Sequence, residues 1–104
     1  MATSKEYLSF VLDQLSGLPE ISSRTMMGEY ILYYRGKVIG GIYDDRLLLK
    51  PTEAAAEIIP GAERDIPYEG AKEMILVDVD DKELLIHLIE AMYPELPESG
   101  KRKR

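Results

Sequence analysis

The sequence predicts a small α+β domain built around an antiparallel meander. Three observations lead there. Apolar residues recur with a helical period at both ends of the chain, over Ser4–Leu18 and Asp81–Tyr93. Between them, Arg24 to Lys50 holds three β-prone apolar runs separated by two short polar turns. A further β-prone run, Met74-Ile75-Leu76-Val77-Asp78-Val79, precedes the last helix.

A chain of 104 residues is one domain, large enough for a single two-layer core. Hydrophobic residues at 45% and charged residues at 31% place it among globular chains and exclude a disordered one. No apolar run has the length of a bilayer span, and no charged-then-apolar signal opens the chain. The absence of cysteine removes disulfides, a thiol nucleophile and thiolate metal sites, so a cytoplasmic home is expected. Formal net charge is −6; Lys101-Arg102-Lys103-Arg104 contribute +4, so residues 1–100 carry −10. An acidic body of that kind repels polyphosphate. The domain is therefore read as residues 1–100, with 101–104 as a solvated basic tail.

In the first helix, Tyr7, Leu8, Val11, Leu12, Leu15 and Leu18 form the buried stripe. Thr3 and Glu6 have capping-box spacing, and Gly17 and Pro19 stop the helix. Phe10 projects off the stripe and is read as covering the flank of the sheet, with a partner contact as the alternative. Glu20–Ser23 is read as a connector. In the meander, Tyr30, Leu32 and Tyr34 share one face while Ile31 and Tyr33 share the other. Both faces are thus partly apolar, so another segment or another copy of the chain should cover the second.

Arg35-Gly36 and Asp44-Asp45 make the two turns, with Gly36 supplying a positive φ. Gly40-Gly41 marks a bulge or a close backbone approach. A short helix follows Pro51-Thr52-Glu53 and closes at Pro60-Gly61. Residues 62–71 read as a loop in which Ile66 and Tyr68 offer a short edge strand. Asp80, three residues before Glu83, is expected to cap a last helix whose buried stripe is Leu84, Leu85, Leu88, Ile89 and Met92.

These residues carry little chemistry. His87, the single histidine, lies nearly opposite its helix's buried stripe and is read as a surface residue. No serine occupies a nucleophile elbow, and no glycine pattern cradles phosphate. Asp78, Asp80 and Asp81 are the tightest carboxylate cluster, read as a strand end and a helix cap before a cation site. No catalytic residue, metal or cofactor is assigned. Arg24, Arg46 and Lys50 bracket the meander as candidate anion contacts, or as charges that keep its edges soluble. Tyr30, Tyr33, Tyr34 and Tyr43, with Phe10, are the candidate interaction face, since tyrosine joins an apolar ring to a polar tip.

At the meander, Arg24-x-Met26-Met27-Gly28-Glu29-Tyr30 resembles the arginine, methionine, aromatic, glycine signature of the TfoX/Sxy N-terminal domain. Gly36-Lys37-Val38-Ile39 resembles that family's hairpin, and Asp45-Arg46-Leu47-x-Leu49-Lys50 its third-strand ending. The likeness covers Ser4 to about Leu96 and makes Met26, Met27, Gly28, Gly36, Lys37 and Leu49 structural positions. Met27 stands where the family usually has phenylalanine, read as a volume swap in the core, and Leu48 where it commonly has tyrosine. The chain resembles the stand-alone form, without the C-terminal domain of the full competence regulators. The resemblance implies a two-layer antiparallel sheet backed by helices, similar to the secretion-chaperone class. It also implies non-enzymatic, transcription-related regulation through protein contacts. A cytoplasmic adaptor acting as a homodimer with a protein partner is the leading expectation. The alternative is direct nucleic-acid binding through Lys101–Arg104 and the strand-end arginines.

Overall fold

In a computed structural model of the chain, which describes residues 3–96, one antiparallel sheet carries three helices. Helix α1 spans Lys5–Gln14, and its cap is Ser4 rather than Thr3: the Ser4 Oγ accepts the Tyr7 N–H at 3.1 Å. Thr3 is buried and employed elsewhere. Its hydroxyl donates to Glu29 Oε1 at 2.6 Å and accepts the Asp45 N–H at 3.2 Å, while its own N–H donates to the Gly28 carbonyl at 3.1 Å. Two adjacent residues were competent caps, and long-range hydrogen bonds took one of them. The helix ends before Leu15 and Leu18, yet both stay buried in the turns that follow.

Strand β1, Ile21–Met26, occupies the stretch read as a connector and the start of the meander. It pairs with β2, Glu29–Tyr34, in the register Ile21↔Tyr34 to Met26↔Glu29. The turn between them is Met27-Gly28, with φ of 53° and 86°, the doubly positive geometry of a two-residue hairpin. Met27 is therefore no core residue. It is 95% exposed at the hairpin tip.

The expected turns at Arg35-Gly36 and Asp44-Asp45 lead into β3, Lys37–Ile42, and β4, Leu47–Leu49. Helix α2, Glu53–Ile58, is capped by Thr52, whose Oγ1 accepts the Ala55 N–H at 3.1 Å. The edge strand expected at Ile66–Tyr68 lies instead at β5, Arg64–Asp65, paired with β6, Met74–Leu76. The sheet runs β1-β2-β3-β4-β6-β5. Helix α3, Lys82–Met92, passes into a 3₁₀ turn at Tyr93–Glu95.

The α3 cap is also displaced by one residue. Asp81 Oδ1 accepts the Leu84 N–H at 3.1 Å, while Asp78 Oδ1 holds the Asp80 N–H at 2.9 Å. Asp81→Ala should cost about 1 kcal/mol and Asp80→Ala within about 0.5 kcal/mol of nothing, read by urea denaturation. Equal costs would return the cap to Asp80.

The core lies between the helices and one face of the sheet. Val11, Leu15 and Leu18 meet Leu32, Ile39, Ile42, Leu47, Leu49 and Ile75, with Leu85, Leu88, Ile89 and Met92 closing it. The β2–β3 register shifts between Leu32, opposite Gly40, and Tyr33, opposite Val38, so Ile39 is an extra, bulged residue. The bulge expected at the glycine pair thus falls on the residue before it. The alternative expectation, a close backbone approach, holds at both Gly40 and Gly41.

Candidate functional site

Strand alternation points Tyr30, Leu32 and Tyr34 toward the helices and Ile31 and Tyr33 to the opposite, outer face. One outer row runs Arg24, Ile31, Gly41, Leu48, Leu76 across five strands. Leu48 in that row is fully buried although it is not part of the helix-side core. Its cover is the chain itself. The Tyr43 ring folds back over Gly41, so near that a Cβ there would stand 2.6 Å from Tyr43 Cε2. Tyr68 then packs edge-on against Tyr43, with centroids 6.3 Å apart at 62°.

Beside this pair a cavity of about 470 Å³ opens on the outer face, floored by Ile31 and Val38 and walled by Tyr43, Tyr68 and Met74. Lys50 and Lys72 also line it. Glu95, at its rim, is already engaged: its carboxylate accepts the Glu53 and Ala54 N–H groups at 2.7 and 3.0 Å, at the start of α2. Burial pushes the Tyr43 phenol above its ordinary pKa, helped by the nearby Tyr68, Glu29 and Tyr33.

The five residues of the expected interaction face do not share a surface. Tyr30 and Tyr34 pack toward the core, and Tyr34 meets Tyr93 edge-on at 5.3 Å. Tyr33 and Tyr43 are on the outer face, and Tyr43 is only 7% exposed. Phe10 does not pack into the core; it stands 41% exposed on α1, contrary to the flank reading.

The three basic residues do not converge either. Arg24 is exposed on β1, and Lys50 lines the cavity. Arg46 bonds the Tyr43 carbonyl at 3.0 Å through Nε and pairs with Asp65 through Nη1. The Asp65 carboxyl titrates below its usual range, first because it accepts the Ile66 N–H and then because of Arg46. Gly28 and Gly36 serve their turns with φ of 86° and 84°, Leu49 is core, and Lys37 lies 4.2 Å over the Tyr93 ring. Met26, at the end of β1, is partly exposed.

His87 is exposed on α3. Among the described residues, no group of three or more His, Asp or Glu is placed to hold a metal ion, and no helix is long and apolar enough to cross a membrane. The Lys101–Arg104 tail lies outside the described residues. Tyr68, Lys72 and Met74 were not anticipated at a site. The one signal for them was the pair Ile66 and Tyr68 flanking Pro67 in the loop of residues 62–71.

The architecture is a helix-backed α+β sheet domain with a concavity on its outer face lined by loop and strand residues. The TfoX N-terminal domain model matches residues 13–96, and the chain belongs to this family of regulatory domains. It is also similar, at 37% identity over 99% of this chain and 91% of the relative, to an uncharacterized 12.7 kDa protein in the trpE 5′ region of Spirochaeta aurantia. No solved structure matches the chain.

Proposed function

We propose that this protein is a non-enzymatic, cytoplasmic adaptor of transcription-related regulation that works by protein contact at the free edge of β1, with a second copy of the chain as its first partner. The observation that carries this reading is β1 itself. Among the described residues it is hydrogen-bonded on one side only, and five of its six residues are exposed. An edge of that length is a template for strand addition. It ends at Met27, whose 95% exposure in a left-handed conformation places an adaptable apolar side chain at the hairpin tip.

The ladder tells which groups are free. Arg35 N–H donates to the Glu20 carbonyl at 3.1 Å, so alternation makes 22/33, 24/31 and 26/29 the bonded pairs. Ile21, Ser23 and Thr25 then turn their backbone groups outward. Ser23→Pro removes an outward donor and leaves the β1–β2 ladder whole. Light scattering should show a dimer for the wild type and a monomer for Ser23→Pro, with melting temperatures within a few degrees. Protein captured from lysate by the wild type should be lost with the same variant. A monomeric wild type that captures nothing, or a variant that behaves as wild type, ends this reading. The nucleic-acid alternative is weakened by Arg46, whose guanidinium is committed to Asp65.

A further inference from the structure

The cavity on the outer face has properties that the β1 edge does not use. Its volume, about 470 Å³, is that of a small-molecule site. Its lining is mainly apolar, through Ile31, Val38, Tyr43, Tyr68 and Met74; the charged residues that line it are Lys50 and Lys72 with Glu73 and Glu95, and the Glu95 carboxylate is already held by the start of α2. Neither lysine has a salt-bridge partner among the described residues, although the chain is acidic overall. An unpaired cation beside apolar surface in an acidic protein is complementary to an anion with an apolar body.

A second feature belongs to the same lining. Tyr43 is 93% buried and lines the cavity, yet its hydroxyl has no hydrogen-bond partner among the described residues. Buried polar groups are rarely left so, because the lost hydration is not replaced. The Tyr43 ring is fixed over Gly41 by contact and by Tyr68, so the hydroxyl cannot swing out without displacing both. The Lys50 N–H donates to the Ile39 carbonyl at 3.0 Å, which anchors the base of that side chain at the end of β4. A ligand in this cavity would meet apolar walls, the Tyr43 ring and the Lys50 side chain.

We infer that this cavity binds a small amphipathic carboxylate, its charge held by Lys50 and Lys72, its apolar body on Ile31 and Val38, and a polar group met by the Tyr43 hydroxyl. Such a ligand would give the domain a chemical input separate from its protein contact at β1.

The test titrates full-length ¹⁵N-labelled protein with 4-hydroxyphenylbutyrate and, separately, with the matching neutral amide. Saturable shifts are expected at Gly41, Tyr43, Tyr68 and Met74, with the acid bound at least about tenfold more tightly than the amide. Lys50→Gln with Lys72→Gln should abolish that preference, and Tyr43→Phe should weaken both probes several-fold while the spectrum elsewhere stays native. Absence of saturable shifts at these positions overturns the site. Equal affinity for acid and amide, or a preference unchanged in the double variant, overturns the assignment of a carboxylate to the lysines. Dimerisation by light scattering is read in the same samples, so failure of the β1 interface and failure of the cavity are distinguishable.

Discussion

Replacing Gly40 by alanine is expected to cost about 3 kcal/mol or more, a fall in melting temperature of roughly 10–20 °C for a domain of this size. A Cβ built at Gly40 would stand 2.1 Å from the Leu48 carbonyl oxygen and 2.8 Å from the Leu49 Cα. Both are backbone atoms of β4, in the middle of the sheet, so neither can turn aside as a flexible side chain would. Relief requires β3 and β4 to separate, which breaks the ladder at Gly40↔Leu49. The residue's φ of 155°, next to the bulged Ile39, adds a conformation that side chains rarely adopt.

Gly36 is the control. Its φ of 84° is also positive, but nothing lies within 4 Å of a Cβ there. Gly36→Ala should therefore cost only the left-handed penalty, about 1–2 kcal/mol. Thermal unfolding of the two variants side by side separates steric exclusion from conformational strain. Equal losses would mean that β3 and β4 do not approach as described.

Leu48→Ala should cost about 2–4 kcal/mol, as a core leucine does, although Leu48 faces away from the helices. The side chain is fully buried on the outer face, and truncation removes apolar area and leaves a void that the surrounding strands fill only in part. An outer face open to water would make the same change worth about 0.5 kcal/mol or less. Denaturant unfolding with an unchanged slope decides between them. A small loss would show that Tyr43 and the segment around Tyr68 do not close over the sheet, and the cavity would lose its wall.

Much of this fold was legible in local patterns. Of the stripe Tyr7, Leu8, Val11, Leu12, Leu15 and Leu18, Val11 is buried within α1 and Leu15 and Leu18 just beyond its end, while the rest are half-buried. Of the stripe Leu84, Leu85, Leu88, Ile89 and Met92, all but the half-buried Leu84 are buried, because a helix must hide its one apolar side. The turns at Arg35-Gly36 and Asp44-Asp45 followed from residues that tolerate positive φ. The family signature was legible too, since short motifs recur in order along the chain.

Strand β1 was not, for a physical reason. Ser22-Ser23-Arg24-Thr25 is exposed on both faces, so it has no apolar alternation, and only pairing with β2 makes it a strand. Neither cap shift was decidable locally: Ser4 beside Thr3 and Asp81 beside Asp80 are equally able caps, and hydrogen bonds outside or just before the helix chose between them. The cavity is the clearest case. Tyr43 and Tyr68 are far apart in the chain, and their meeting over Gly41 carries no periodic signal. The sequence alone determined most of the helical core positions and the turns at Arg35-Gly36 and Asp44-Asp45, but not the Met27-Gly28 turn. Tertiary structure decided which edge stays free and which apolar residues enclose space instead of filling it, because both depend on contacts between distant segments.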